Sequence, residues 1–529
     1  LPPSLQRSSL QKETQAPPLL SSTGARVSLS HQLKDCDYKM GKCCWPSSIF
    51  LLIFLLSTSN ALVWAFGGEG ESRTMKLELI HRHSPQLEAM GKSYGGRPET
   101  RLERIRELLD IDSIRQHTIY RELQLKSVIR RKALETASNS SNDNASMQAR
   151  IRSGADYGTG MYFVPFRVGT PAKKFVLAAD TGSDLTWVNC KYRCRAGPKC
   201  RTSRKKRVFH AHHSSSFTTF PCSSDMCKTE LATLSSLSFC PTPLRPCAYD
   251  IRYADGSTSK GFFANETVTV RLTTGKMMKL ENVVIGCSEA FRGGQAFQVS
   301  DGVMGLGYSK YSFALKAAKN FGGKFSYCLV DHLSHRNVSS YLTFGGAQSK
   351  KYSKNDIEMP MQYTQLGLVA SYYAVNVMGI SVGRVMLDIP DAVWDLYGDG
   401  GAIVDSGTSL THLAWPAYKP VMNALKDSLL KIFGNLEPQP DGPTEYCFSS
   451  NGFDEALMPR LAFHFVDGIR FEPPVKSYVI DVADGVKCLG FVPAVWPGTS
   501  IIGNIMQQNH IWEFDLVAST LGFAPSTCT

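Results

Sequence analysis

The same short pattern occurs twice in the sequence, and this duplication constrains the fold more than any other feature. An apolar run from Phe175 to Ala179 leads into Asp180-Thr181-Gly182-Ser183, and a second run from Ala402 to Val404 leads into Asp405-Ser406-Gly407-Thr408. Such runs favour buried strands, and Asp followed by a hydroxyl residue and Gly favours a tight turn. One copy would be ordinary turn chemistry. Two copies with matched strands predict two carboxylates that meet in one site.

Two carboxylates in one site suit the hydrolysis of a peptide bond by water. This reaction needs a general base and a general acid together. Carboxylates that lie a hydrogen bond apart share one proton, so one acts as the base and the other as the acid. We therefore predict that Asp180 and Asp405 are the catalytic pair, although the sequence does not show which of them is ionised.

The residues that follow each aspartate are predicted to support this dyad. Ser183 and Thr408 stand three residues after their aspartates and are placed to bond the outer carboxylate oxygens. Thr181 and Ser406 are placed to brace the two turns against each other. The remaining members of the two turns are glycines: Gly182 and Gly407.

These motifs resemble those of the pepsin-type aspartic proteases, specifically the plant nepenthesin-like branch. The resemblance covers nearly the whole chain and includes three further motifs: Tyr253-Ala254-Asp255-Gly256-Ser257, Val303-Met304-Gly305 and Ile501-Ile502-Gly503. It implies a mainly β, two-lobed pepsin-like acid protease fold with the active-site cleft between the lobes. It also implies an aspartic endopeptidase that acts as a monomer on polypeptide substrates, with no cofactor and no metal.

The resemblance assigns a flap and substrate cleft as well. Tyr253, Gly256 and Ser257 would belong to a hairpin that closes over the substrate and excludes water. Trp187 would bond to or pack against Tyr253. Ala254 stands where such flaps often carry glycine, which affects the expected mobility of the flap and not the chemistry.

A function of a different class stays open as the alternative. The same fold serves in plants as a non-catalytic inhibitor or cell-wall binding protein. Those relatives typically disrupt one of the two aspartate turns, whereas this chain keeps Asp180 and Asp405 with their hydroxyl neighbours. The intact turns favour the enzyme.

The chain before the first lobe is predicted to contain three segments. Residues 1–39 lack apolar periodicity and are interpreted as an upstream leader without structure. Residues 40–65 contain an apolar run after Lys42 and then small residues, which indicates a signal peptide. The run is too short for a stable membrane anchor. A chloroplast transit peptide is the alternative, since relatives in this group are described as plastid-associated.

Residues 66–150 are interpreted, by resemblance, as an inhibitory prosegment. The sequence predicts a strand near Met75 to His83 and a charged amphipathic helix from Glu99 to about Lys132. Its basic residues are expected to pair with the ionised dyad in the precursor, among them Arg82, Arg130, Arg131 and Lys132. A merely solvated helix is the alternative.

The remaining chain is predicted to form two β lobes, at 151–350 and 351–529. Short apolar runs alternate with Gly, Pro, Asn and Asp turns. Helices are expected only near Tyr311 to Asn320 and Ala417 to Ile432. Four Asn-X-Ser/Thr sequons mark candidate glycosylation sites: Asn139, Asn144, Asn265 and Asn337.

Cysteine usage indicates an oxidising compartment, extracellular or vacuolar. Three of the 15 cysteines precede residue 66, and the remaining 12 are an even number that is consistent with six disulfides. Spacing does not determine their connectivity. The resemblance implies these pairs: Cys190–Cys194, Cys200–Cys287, Cys222–Cys247, Cys227–Cys240, Cys328–Cys528 and Cys447–Cys488. A zinc site formed by Cys190, Cys194, Cys200 and the histidines from His210 to His213 is disfavoured, because the even cysteine count and the signal peptide both favour disulfides.

The net charge of +12 is concentrated in a few segments. Nine lysines and arginines and no acidic residue lie between Lys191 and Arg207. In a secreted protein this composition favours an exposed, disulfide-bonded loop that can contact an acidic partner. Nucleic-acid binding is therefore not predicted.

Overall fold

The structure is a computed structural model, and part of the chain is described. The described residues are 74–81, 90, most of 100–120, 147–149, 162–192, 207–234, 238–240, 242–253, 258–292, 300–330, 340–345, 360–398, 400–434 and 436–528. The segments interpreted as leader (1–39) and signal peptide (40–65) lie outside them. So do the four cations named above: Arg82, Arg130, Arg131 and Lys132. Among the described residues, no helix has the length and apolar character needed to cross a bilayer.

The first half of the chain is built from short strands, paired in both antiparallel and parallel directions, and from one long antiparallel hairpin. Its strands are β1 Met75–His81, β2 Met147–Ala149, β3 Tyr162–Val168, β4 Lys173–Asp180, β5 Trp187–Lys191, β6 Phe209–His210, β7 Thr218–Thr219, β8 Ser238–Phe239, β9 Ala248–Arg252, β10 Thr258–Arg271, β11 Met277–Arg292, β12 Gly302–Gly305, β13 Lys324–Cys328 and β14 Ser340–Phe344. A π-helical turn, Met226–Glu230, and two 3-10 turns, Ala211–His213 and Leu231–Thr233, connect them.

The second half is also built mainly from short strands. Its strands are β15 Gln362–Val369, β16 Tyr372–Val375, β17 Val377–Val382, β18 Val385–Met386, β19 Ala402–Val404, β20 Thr411–Ala414, β21 Cys447–Ser449, β22 Leu461–Phe465, β23 Arg470–Phe471, β24 Val479–Ala483, β25 Val486–Leu489, β26 Phe491–Ala494, β27 Ser500–Ile502, β28 His510–Asp515 and β29 Thr520–Pro525. Three 3-10 turns complete it: Asp391–Trp394, Glu455–Leu457 and Val475–Ser477.

Two α-helices lie where the sequence predicts them. α1 covers Phe313–Asn320, and the side chain of Ser312 caps it by accepting the N–H of Leu315. α2 covers Trp415–Phe433; it carries proline in its first turn and ends at Gly434, whose φ of +68° suits glycine. The bounds agree with the predicted helices to within two residues.

A six-stranded antiparallel sheet joins the two halves. Its order is β1-β14-β13-β28-β29-β15. Within it, the rings of Phe325 and Phe514 stack at a centroid distance of 4.6 Å, so that aromatic side chains from both halves share one core. Strand β1, which also pairs with β2 and β3, comes from the segment interpreted as the prosegment. That segment is therefore hydrogen-bonded into the sheet rather than only resting on its surface.

Two disulfides agree with the predicted pairing. Cys328 bonds to Cys528 with a Cα–Cα distance of 5.3 Å across a sequence separation of 200 residues. Cys447 bonds to Cys488, and these residues lie opposite each other on β21 and β25. The first bond ties the end of the chain to strand β13, which carries Cys328. Multiple disulfides of this kind are typical of a secreted protein.

The predicted pairing is wrong at Cys190 and Cys287. These two residues bond to each other, with a Cα–Cα distance of 5.0 Å, because they lie on the parallel neighbours β5 and β11. Their predicted partners, Cys194 and Cys200, lie outside the described residues. The bond to Cys287 also removes Cys190 as a zinc ligand.

The pairing is also wrong in the loop region around the π-helical turn. The bonds are Cys222–Cys240 and Cys227–Cys247, not Cys222–Cys247 and Cys227–Cys240. The sulfur atoms of Cys222, Cys227 and Cys240 all lie within 4.8 Å of one another. Cys240 therefore lies close to both Cys222 and Cys227, and sequence spacing cannot choose its partner.

Candidate active site

The two predicted aspartates lie at equivalent strand ends. Asp180 is the last residue of β4, and Asp405 directly follows β19. Each strand has a parallel neighbour from the later apolar-apolar-Gly motif: β12 places Gly305 opposite Asp180, and β27 places Ile502 opposite Val404. The duplicated sequence therefore folds into a duplicated local structure that delivers both carboxylates to one place.

Each carboxylate accepts the same two hydrogen bonds from its own turn. Asp180 Oδ1 accepts the N–H of Gly182 at 2.9 Å, and its Oδ2 accepts the hydroxyl of Ser183 at 2.5 Å. Asp405 Oδ1 accepts the N–H of Gly407 at 2.9 Å, and its Oδ2 accepts the hydroxyl of Thr408 at 2.6 Å. These bonds fix the orientation of each carboxyl group.

A reciprocal pair of hydrogen bonds links the two turns. The N–H of Thr181 donates to Ser406 Oγ at 3.3 Å, and the N–H of Ser406 donates to Thr181 Oγ1 at 2.9 Å. Thr181 Oγ1 also donates to Asp405 Oδ1 at 3.3 Å. The bracing predicted for Thr181 and Ser406 is present, and it holds the two carboxylates at a fixed separation.

An arginine that sequence reasoning did not single out lies between the aspartates. Arg115 Nη2 is 2.6 Å from Asp180 Oδ1 and 3.1 Å from Asp405 Oδ1, and Arg115 Nε is 2.8 Å from Asp405 Oδ2. Arg115 is 7% exposed. One guanidinium therefore pairs with both acids and fills the space between their two turns.

The ion pairs shift the titration of these groups. Burial by itself raises the pKa of Asp180, but the charge of Arg115 and the hydrogen bonds from Arg115, Ser183 and Gly182 outweigh it and hold that pKa below its ordinary value. Burial lowers the pKa of Arg115, and the charges of Asp180 and Asp405 more than offset this and raise it. Asp180 and Arg115 therefore each stabilise the charged form of the other.

The two turn glycines make room for the guanidinium. A Cβ atom at Gly182 would lie 2.5 Å from Arg115 Nη2, and one at Gly407 would collide with the same atom. Any side chain at these positions would displace the group that lies against the turns. The Gly in each motif is thus required by close approach and not by an unusual backbone angle.

Arg115 belongs to a helix whose described residues lie between 100 and 120, here called the 101–120 helix. Its start is a capping box, in which Thr100 N–H donates to Glu103 and Glu103 N–H donates to Thr100 Oγ1. Ile105 and Leu108 pack on Leu410, Ile480 and Ile505, and Ile119 packs on Tyr372, Ile403 and Ile501. Apolar contacts thus hold both ends of the helix in the cleft.

Trp187 and Tyr253 make the contact that the resemblance implies. Trp187 Nε1–H donates to the hydroxyl of Tyr253, and the ring centroids are 6.3 Å apart. Tyr253 follows β9, and β10 begins opposite it, since Thr258 pairs with Arg252. The hairpin predicted as the flap is therefore present, while its turn residues Gly256 and Ser257 lie outside the described residues.

Of the four sequon asparagines, Asn265 lies among the described residues. This residue lies in β10 opposite Val284 and is half-buried. The other three sequons, at Asn139, Asn144 and Asn337, lie outside the described residues.

Family models match most of the two halves. Residues 162–346 match the model described as xylanase inhibitor N-terminal, and residues 372–525 match the one described as xylanase inhibitor C-terminal. The chain is 34% identical over 388 residues to Aspartyl protease family protein 2 of Arabidopsis thaliana, which covers 72% of this chain and 73% of that protein. The chain belongs to the pepsin-like aspartic protease family.

A second relative and a solved structure extend the comparison. The chain is 30% identical over 377 residues to aspartic proteinase nepenthesin-2 of Nepenthes gracilis, covering 70% of this chain and 78% of that one. The crystal structure of Basic 7S globulin from soybean superimposes with a TM-score of 0.54 at 20% identity, covering 71% of this chain and 94% of that one. The predicted two-lobed, mainly β fold is confirmed.

Proposed function

We propose that this chain is the latent precursor of an aspartic endopeptidase that hydrolyses polypeptides. The observation that carries this proposal is the pair Asp180 and Asp405, which lie on matched turns, accept matched hydrogen bonds and both contact one guanidinium. A relative that had lost the reaction would have no need to keep both carboxylates and their hydroxyl donors in the same geometry.

The reaction begins once Arg115 has left the dyad. The two carboxylates then share one proton, because two negative charges so close together do not both persist. The ionised member takes a proton from a water held between them, and the water oxygen attacks the scissile carbonyl. The protonated member bonds to the carbonyl oxygen, and a proton then passes to the leaving nitrogen. The sequence motifs and the hydrogen bonds do not require a metal or a cofactor for any of these steps.

The flap hairpin and Trp187 serve the same reaction. Tyr253 would close over the bound polypeptide and exclude water, and the Trp187 hydrogen bond would hold the phenol in place. Gly256 and Ser257 would form the turn of the flap.

Residues 66–150 act as the prosegment in this proposal. The 101–120 helix fills the cleft, and Arg115 pairs with the dyad, so the precursor is inactive until the helix is released. The cation that does this is not one of those named from the sequence. Cleavage in the linker between about residues 130 and 151 would then separate the prosegment from the lobes at 151–350 and 351–529.

The non-catalytic inhibitor or cell-wall binding protein remains the alternative function. The family models carry the name xylanase inhibitor, and the 20% identity to the soybean globulin shows the fold alone. The intact dyad argues against this alternative. Within the family, we infer a likeness to the plant aspartic proteinase NANA from the motifs quoted above.

The disulfides support a protein of the secretory pathway, extracellular or vacuolar, and a chloroplast protein is the alternative. We propose that it acts as a monomer on polypeptides and binds no nucleic acid, and that the sequons, including Asn265, carry glycans.

The proposed activity is tested with matured protein and a denatured polypeptide at acid pH. Pepstatin-sensitive cleavage is the expected result. The control is Asp454→Asn, an exposed aspartate that caps the 3-10 turn Glu455–Leu457, where asparagine caps equally well. Absence of pepstatin-sensitive cleavage in the wild type and in this control would contradict the proposed function.

A further inference from the structure

Beside the dyad, the 101–120 helix inserts a second charged side chain into the second lobe. The Asp112 carboxylate is fully buried. Its Oδ2 accepts the N–H of Leu410 at 2.8 Å and that of Ser409 at 3.0 Å, and its Oδ1 lies 3.1 Å from the same Ser409 nitrogen. Two consecutive backbone N–H groups that converge on one carboxylate form a concave anion site.

The donors of this site belong to the lobe and are held in place by it. The carbonyl oxygen of Thr408 accepts the N–H of Asn504 at 2.7 Å, and that of Ser409 accepts the N–H of Ile505 at 3.1 Å. With the carbonyl groups bonded inward, the N–H groups of the same loop point into the cleft. The anion site is therefore preorganised in the lobe and does not depend on the helix for its shape.

A buried histidine completes the site. His412 is 0% exposed, and its Nε2 lies 3.8 Å from Asp112 Oδ2. Within the described part of the chain, neither of its ring nitrogens has a hydrogen-bond partner. A buried polar group without a partner costs free energy, so the ring would gain from a ligand oxygen that lay closer to Nε2 than that of Asp112 does.

We propose that, once the prosegment has gone, Ser409 N–H, Leu410 N–H and His412 form a subsite for an acidic side chain of the polypeptide substrate. The subsite rests on the proposed endopeptidase function and adds a specificity to it. In the precursor, the Asp112 carboxylate occupies the position of that substrate carboxylate. Arg115 occupies the position of the reacting groups.

The position of the subsite follows from the helix. Asp112 and Arg115 are one turn apart on the same face, with about 4.5 Å between their Cα positions along the helix axis at ~1.5 Å per residue. An extended substrate advances roughly 3.3 Å per residue, so the acidic side chain belongs within about three residues of the scissile bond.

The donor set distinguishes a carboxylate from the other groups of a polypeptide. A carboxylate offers two oxygens, so it can accept the two backbone N–H groups and also a ring N–H of His412. A backbone carbonyl or an asparagine amide offers one neutral oxygen, so it could use the N–H groups without gaining from His412. Preference for aspartate over asparagine is therefore the signature of this subsite.

The first arm of the test measures kcat/KM of the matured enzyme for quenched peptides. Peptides that differ only by Asp, Asn or Ala are compared at each of the three positions on either side of the scissile bond, at pH 5, where a substrate aspartate is ionised. At one position the Asp/Asn ratio is expected to reach about 10. A ratio near one at every position would overturn the subsite, and would indicate that the loop bonds a substrate carbonyl instead.

Variants of His412 identify the source of the preference. His412→Leu should lower the Asp/Asn ratio by at least about threefold, and His412→Gln, which retains an N–H donor, should lower it less. The matched control is His464→Leu, a half-buried histidine whose ring bonds to Ser381 Oγ at 2.8 Å in the same lobe and which should leave the ratio unchanged. If the Asp/Asn ratio of kcat/KM in His412→Leu and His412→Gln equals that in the control His464→Leu, His412 is excluded from the subsite.

The second arm does not require activity. A fluorescent synthetic peptide of residues 101–120 and its Asp112→Asn version are titrated against the matured protein. The wild-type peptide should bind the matured protein about tenfold more tightly than the Asp112→Asn peptide does. This difference in affinity should be smaller when the protein carries His412→Leu. Preferential binding without any peptide cleavage would support the anion site while contradicting the proposed function. Equal binding of both peptides would overturn the site whatever the activity.

Discussion

Replacing Arg115 by methionine tests how the precursor is kept inactive. The substitution keeps much of the side-chain length and removes the charge that both Asp180 and Asp405 contact. Removing one partner of a buried ion pair costs about 3 to 5 kcal/mol, and the dyad can offset part of this by taking up a proton. A net loss of ~3 kcal/mol in the stabilisation of the docked helix corresponds to an increase of roughly 10²-fold in the population with a vacant dyad.

The assay uses full-chain precursor at pH 5 to 6, with mass spectrometry to show that the chain is uncleaved. Turnover of a quenched peptide and binding of fluorescent pepstatin are both expected to rise about 10²-fold in Arg115→Met. The matched control is Arg106→Met on the same helix, an exposed arginine that donates to the carbonyl oxygen of Asp441 at 2.7 Å. If Arg115→Met is as inactive and as closed to pepstatin as Arg106→Met, the guanidinium is not what blocks the dyad.

Three further outcomes are expected. The pKa of Asp180 is lowered in the precursor, so its ion pair stabilises the docked helix fully above the ordinary aspartate pKa of about 3.9 and loses this effect as the pH falls through the lower value. Hydrogen exchange should therefore show the 101–120 helix docked at pH 5 and released only below about pH 4. Release of the helix between pH 7 and 5 would count against the ion pair. Replacing Cys328 and Cys528 by serine should lower the free energy of unfolding by about 5 kcal/mol in the chain-entropy model, because the bond closes 200 residues; a loss below ~1 kcal/mol in denaturant titrations would contradict that reasoning. Trp187→Phe and Tyr253→Phe should each lower kcat/KM up to about tenfold through the same lost hydrogen bond, and a double variant no worse than either single one is the expected sign of that coupling, whereas independent, multiplying effects would refute it.

Much of the dyad could be predicted because it rests on local chemistry. Each aspartate and its donors lie within four consecutive residues, and the strand that precedes each one is readable as an apolar run. The duplication then places Asp180 and Asp405 together, since two similar units make one cleft. The helices α1 and α2 were likewise visible from local patterns.

Arg115 was missed although the sequence carries a signal for it. Residues 105, 108, 112, 115 and 119 lie on one face of a helix, and this face is apolar at both ends and charged at Asp112 and Arg115 in the middle. Two charges in the centre of an apolar stripe indicate buried partners of opposite charge or backbone donors. The prediction rested on positive charge alone and therefore named Arg82 and the run Arg130-Arg131-Lys132. The partners themselves lie 65 to 298 positions away in sequence and only the fold reveals them.

The disulfide errors have a different cause. Cys222, Cys227 and Cys240 have sulfur atoms within 4.8 Å of one another, so the choice of partner depends on side-chain directions within one loop region. Sequence spacing carries no information at that scale. The Cys190–Cys287 bond depends on the parallel pairing of β5 with β11, which is also a property of the tertiary structure.

The central claim is that Asp180 and Asp405 act as one catalytic unit, and a set of three variants tests it most directly. Matured wild type, Asp180→Asn, Asp405→Asn and the double variant are compared for kcat/KM on one quenched peptide at acid pH, with thermal unfolding to verify that each is folded. We expect each single substitution to lower kcat/KM by at least about 10³-fold and the double variant to fall no further, because residues that act as a unit are not additive. A folded single variant that retains kcat/KM within about tenfold of the wild type would contradict the claim.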